Sequence, residues 1–196
     1  MPPKSVFYKS EIINSSLKIV AKKGFKQLSA REVARELNSS TRPVYEHFES
    51  MEELKKAALQ KTISLLYDYV IRPHTKNAFL NIGAGYVMFA RDHREYFRAI
   101  FLEDNDSSGI IDELLKKLDD EMVKVPELRK LTRHERQVLL RRSWIFTHGF
   151  ATMVFAGYIK NDHDAYIIKM ISDTGIVFIE DSIRKHGDGS PVAKGK

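Results

Sequence analysis

The sequence predicts an all-α protein of about nine helices, and three observations predict it. Apolar residues recur at helical spacing along the 196-residue chain. No segment shows the sustained alternation, closed by Asn-Gly or Asp-Gly turns, that marks a hairpin. Helix caps and breakers punctuate the chain at regular intervals. The expected layout is a small three-helix domain over residues 1–50, a larger helical domain over 51–186 and a flexible tail over 187–196 (GDGSPVAKGK).

The first helix is expected near Lys9–Lys23, ended by Gly24. Ser29 can cap a second over Ala30–Leu37, where Val33, Ala34 and Leu37 supply the apolar stripe and Glu32 completes a capping box. Asn38 tolerates the left-handed conformation that closes a helix. Ser40 can cap a third over Thr41–Phe48, with Pro43 in the first turn, where its missing N–H costs no intrahelical bond. A long fourth helix starts after Ser50 and stops before Pro73. Helices follow over Asn77–Asp92, Arg94–Glu103 and Ile110–Val123, with a loop at Glu103–Gly109. Thr132 and Glu135 form a second capping box that opens a helix to about Ile159, and Ala165–Lys185 is the last.

Two short helices across a tight turn, with a third following at once, are the layout of a helix-turn-helix DNA reader. Arg42 near the start of the second helix has the fork that reads guanine, worth about 1–3 kcal/mol of discrimination. The segment also resembles the N-terminal domain of the TetR (TetR/AcrR) family of bacterial transcriptional regulators. Three stretches carry the resemblance: Ile12–Phe25, Leu28–Leu37, and the run Val44-Tyr45-Glu46-His47-Phe48 followed by Ser50 and Leu54. It implies that Tyr45 and His47 approach phosphates while Ser40, Thr41, Arg42 and Pro43 lie at the bases. Lys26, Ser29 and Arg31 would anchor the backbone without specifying sequence. Two departures stand out. Asn38 replaces the usual Gly, and Met51 replaces a phosphate-contacting Lys of many members, a role for which Lys55 or Lys56 is one turn away.

The last two long helices are apolar on more than one face and so need cover on two sides. One side can pack on its own subunit and the other on a second copy, with Phe155, Tyr158, Ile168, Ile171, Gly175 and Phe178 as the expected contacts. The resemblance implies the same homodimer, and two reading helices about 34 Å apart would meet successive major grooves of a pseudo-palindromic operator in double-stranded DNA. The middle of the chain is rich in aromatic residues. Tyr67, Tyr86, Phe89, His93, Phe97, Phe101, Trp144 and His148 are the candidates for an effector pocket, apolar with a few orienting polar groups. The alternative for the same residues is an ordinary core in which His148 satisfies a buried carbonyl.

Composition excludes several classes. With no cysteine there are no disulfides, thiolate metal sites or thiol sensors. The longest apolar run, Ser143–Ile159, is shorter than the roughly 20 residues of a membrane helix. The N-terminus lacks the apolar core of a signal peptide, so a cytoplasmic location without membrane association is expected. Of the net charge of +6, residues 1–26 supply six Lys against the single Glu11, a basic end suited to phosphate. No phosphate loop, nucleophile elbow or HExxH pair occurs, and the NDHD turn at Asn161–Asp164 has no further ligands, so no catalytic residue, metal or cofactor is expected. The reading that results is a dimeric, non-enzymatic transcriptional regulator, a repressor released from its operator by a small-molecule effector. The alternatives are a ligand-independent DNA-binding regulator, a helical ligand carrier or a metal-dependent hydrolase.

Overall fold

The computed structural model describes residues 7–103 and 108–186, which form nine α-helices and two short 3-10 turns with no strand among them. The loop expected at Glu103–Gly109 lies largely outside the described residues, and the tail expected over 187–196 lies wholly outside them. The chain divides into two compact units, one of Met1–Leu65 with His93–Ile110 and one of Leu66–Asp92 with Ile111–Lys196.

In the first unit, α1 (Lys9–Lys23) starts at Tyr8, whose N–H donates to Glu11 at 2.7 Å, and stops at Gly24. There φ is +78°, a left-handed conformation that glycine adopts without a Cβ penalty. A 3-10 turn at Phe25–Gln27 leads to α2 (Ala30–Glu36), capped by the Ser29 hydroxyl, which accepts the Glu32 N–H at 3.3 Å. The reciprocal half of that expected capping box is not made. The Glu32 carboxylate takes Lys23 Nζ at 2.7 Å and the Arg35 guanidinium instead, because cationic donors outbid a neutral backbone N–H.

Asn38, at φ 50°, turns the chain into α3 (Arg42–His47). Its N-cap is Thr41, one residue later than expected, and Ser40 accepts the Arg42 N–H at 3.3 Å from just outside the helix. The Ser50 hydroxyl accepts the Glu53 N–H at 3.1 Å as α4 (Met51–Val70) begins. Ile12, Val20, Val33, Val44, Phe48 and Leu54 are buried together beneath these helices. Ala99 of α6 (Arg94–Phe101) joins the same core, and the Tyr96 hydroxyl donates to the Leu17 carbonyl at 3.1 Å. The unit around α2 and α3 therefore extends beyond residue 50 and takes in a helix far along the chain.

In the second unit, α5 (Ala78–Asp92) is buried on nearly every side and packs against α8 (Arg133–Phe155) and α9 (Asp164–His186). Glycine permits one close approach here: a Cβ on Gly85 would stand 2.7 Å from the Tyr69 carbonyl oxygen and from Val70 Cα. Between α7 (Ser108–Met122) and α8 runs a 3-10 turn at Pro126–Lys130, and Arg136 of α8 forks onto the buried Asp119 at 2.8 and 3.2 Å. The expected Thr132–Glu135 capping box is present in full. α8 ends at Phe155, short of the expected Ile159, and Gly157 turns the chain at φ +78°. Arg91 then ties the end of α5 to the α8–α9 connection, donating to the Asp162 carbonyl at 2.6 Å and pairing with Asp164 at 2.8 Å.

Candidate nucleic-acid interface

The outward face of α3 is built by what its inward face buries. Val44 and Phe48 are 1% and 2% exposed, so the residues between them in sequence must turn out or aside. Arg42, Tyr45 and Glu46 turn out, and Tyr45 is 56% exposed. The Arg42 guanidinium rests on Glu46, one helical turn on, with Nε 2.7 Å from the carboxylate. Thr41 and Pro43 are half-buried at the helix start, while Ser40 is exposed beside them. His47 differs from the rest: its Nε2 lies 2.6 Å from the Phe7 carbonyl oxygen.

The cations around α3 divide into two groups. Lys9, Lys18, Lys23 and Arg35 each pair with a carboxylate within the unit. Hydrogen bonding from Lys23 holds the Glu32 carboxyl below its ordinary value, and the Glu49 N–H followed by Lys9 does the same to Glu53. Lys26 and Arg31 are exposed and Lys55 half-exposed, and none has a carboxylate partner among the described residues. Ser29 is exposed too, although its hydroxyl is engaged as the α2 cap. Where Met51 stands, the first turn of α4 carries Glu52 and Glu53, so the charge at that helix start is negative.

Among the expected effector residues, the second unit brings Tyr86, Trp144 and His148 together. The buried Tyr86 hydroxyl lies 2.8 Å from His148 Nδ1 and receives the Trp144 indole N–H. The Trp144 and His148 rings meet edge to face at 6.2 Å. Burial drives the Tyr86 hydroxyl well above its ordinary range and His148 below its own, so both are neutral near pH 7. Phe89 is fully buried, edge-on to Tyr69, and the Tyr67 hydroxyl donates to Glu121 at 3.2 Å. His93, Phe97 and Phe101 belong to the first unit, where His93 stacks on Tyr96 and Phe97 packs against Phe101.

Two residues expected at a subunit interface face inward. Ile171 is 4% exposed and lies where a Cβ on Gly83 would be, and Gly175 is buried against Leu80, both because α9 lays that stripe on α5. Phe178 is half-buried edge-on to Phe146, Phe155 and Ile168 are half-buried, and Tyr158 is fully outward. The exposed apolar stripe is a different one: Val138, Ile145 and Met153 of α8, with Ile176 and Val177 of α9. Its signal on α8 is the helical spacing of Val138, Ile145 and Met153, obscured because Arg142 and Gly149 interrupt it.

Among the described residues, no helix is long and apolar enough to cross a membrane, and no cluster of three His, Asp or Glu could hold a metal ion. The sequence profile described as "Bacterial regulatory proteins, tetR family" matches residues 12–58, which take in α1 to α3 and the start of α4. A TetR-family transcriptional regulator from Streptomyces coelicolor shares the fold at a TM-score of 0.62 and 14% identity, over 93% of this chain and 94% of that one. A TetR variant from Acinetobacter baumannii AYE, solved in complex with minocycline, does so at 0.60 and 12%, over 97% and 100%. No match to a curated protein was found. With the profile of the tetR family on α1 to α3 and the fold of TetR-family regulators along nearly its whole length, this chain is similar to the TetR family of bacterial regulatory proteins.

Proposed function

We propose that the protein is a repressor that binds a pseudo-palindromic operator as a homodimer and leaves it when a small molecule binds the second unit. The observation that supports this most is α3, which presents Arg42 and Tyr45 to the outside from a fully packed three-helix core. In this reading Thr41, Arg42 and Pro43 face bases, Tyr45 reaches a phosphate, and Lys26, Arg31 and Lys55 supply backbone anchors. The subunit seam is the stripe of Ile145, Met153, Ile176 and Val177, extended by Tyr158. A row of exposed large apolar side chains of this kind costs solubility unless a partner covers it.

The effector site is centred on Tyr86, Trp144 and His148, whose neutral hydrogen-bonding groups sit among buried apolar residues. The minocycline complex of the Acinetobacter neighbour is a precedent for a small molecule on this fold. Release is a population shift: a ligand that prefers a spacing of the reading helices unlike that on DNA opposes binding by its differential affinity for the two states. The lever is α4, which contributes residues to both units.

The test is selection from a random duplex library by the purified protein, then titration of the best sequence at several salt concentrations and against candidate ligands. A pseudo-palindrome bound far more tightly than scrambled duplex, and released by a ligand, is the expected result. Uniform, steeply salt-dependent binding without an enriched motif would leave phosphate attraction alone and end the operator reading.

A further inference from the structure

We propose that His47 is a positioning residue for DNA reading: it fixes the exit of α3 by donating to the Phe7 carbonyl and leaves the phosphate contact to Tyr45. The geometry separates the two residues. Two positions apart on a helix, they point about 200° away from one another. Tyr45 is exposed on the same side as Arg42, whereas His47 is half-buried beside Val44 with Nε2 2.6 Å from the Phe7 oxygen. A carbonyl can only accept, so Nε2 carries the ring's proton and is committed to the protein.

A second attachment holds the same short segment. Lys9 Nζ lies 3.2 Å from Glu53 Oε1 and 4.6 Å from the centre of the Phe48 ring. Glu53 is itself held by the Glu49 N–H at 2.8 Å. Residues 7–9, at the entry to α1, therefore grip both sides of the turn that joins α3 to α4. The α2–α3 turn sets the start of the reading helix, and this grip sets its end. Base readout depends on that orientation, because a bidentate contact to a base edge is lost by small rotations.

The experiment uses the full chain with His47→Leu, which removes the donor, His47→Gln, whose amide nitrogen restores one near Nε2, and Lys9→Met. Amide exchange is followed without DNA, and affinity is measured for the selected operator and for scrambled duplex. His47→Leu should speed exchange at the first turn of α1 and weaken operator binding about five- to tenfold, the weight of one hydrogen bond, with scrambled duplex little affected. His47→Gln should recover most of both. Lys9→Met should speed exchange at the same amides, and the double variant should lose less than the sum of the two, since both attachments hold one segment. Should His47→Leu lose its helix content, His47→Gln and Lys9→Met still carry the comparison. Weakened operator binding with unchanged exchange and additive losses would place His47 on the DNA itself and overturn the proposal. Full operator affinity in His47→Leu would overturn it equally. If the native protein selects no operator, the regulator reading fails, and the exchange measurement still decides the contact.

Discussion

Placing alanine at Gly85 tests how closely α4 and α5 are packed. The added Cβ would stand 2.7 Å from the Tyr69 carbonyl oxygen and from Val70 Cα, and 3.2 Å from the Tyr69 carbonyl carbon. Ordinary contact begins near 3.4 Å, so the end of α4 must retreat by most of an ångström. The obstacle is backbone and no rotamer change relieves it. Overpacking of this kind costs about 1–3 kcal/mol. Replacing a helical glycine by alanine returns about 1 kcal/mol of propensity, leaving a net loss of up to about 2 kcal/mol. For a chain of this size that lowers the melting temperature by up to about 8 °C. Gly83 is the comparison, because an alanine there meets the Ile171 side chain at 2.9 Å, which can move in part. Thermal unfolding followed by circular dichroism, at fixed protein concentration, should rank native, Gly83→Ala and Gly85→Ala in falling order. A Gly85→Ala protein that melts at or above the native temperature, or above Gly83→Ala, refutes the packing argument.

Arg42→Ala should weaken binding to the selected operator by about 1–3 kcal/mol and relax the preference at one base pair, with dimer mass and helix content unchanged; an equal loss on scrambled duplex would make Arg42 a phosphate contact. Under the proposed reading, Ile145→Glu should turn a dimer into a monomer by sedimentation and lower operator affinity with α3 intact, and an unchanged mass would remove α8 from the seam. Burial holds His148 below its ordinary 6.5, so the unfolded chain takes up its proton before the native state does. Its contribution is complete above 6.5 and is lost as pH falls from there through the lower native value. Melting temperatures should therefore drop in mild acid, and His148→Asn should flatten that drop; parallel profiles would exonerate His148.

What the sequence made legible was local. Gly24, Ser29, Asn38, Thr132 and Glu135 were placed correctly because a cap depends on residues within one turn of itself. Contacts between distant segments were not legible. Nothing near His47 in sequence announces a carbonyl 40 residues earlier, and nothing in α6 announces that Ala99 belongs to the core of α1 to α4. The α9 stripe failed for another reason. A helix apolar on two faces says that both are covered but not which face lies inside, so Ile171 and Gly175 were assigned outward while Ile176 and Val177 hold that position. Glu32 shows a further limit, since pattern identifies a capping box but not the Lys23 and Arg35 that compete for its carboxylate.

The ion pair between Arg42 and Glu46 bears on how quickly an operator could be found. Both side chains are more than half exposed, so their mutual attraction is worth at most about 1 kcal/mol. Under the proposed reading, Arg42 must exchange Glu46 for a base edge each time α3 enters a groove. On random sequence that exchange is not compensated, and Glu46 is left facing phosphates it repels. Wrong sites are thereby released sooner, and the protein samples more of them in a given time. On the operator the guanine fork outweighs the carboxylate and the complex persists. A side chain that touches no base would then set the pace of the search, and Glu46→Gln should lengthen dwell times on random DNA more than on the operator.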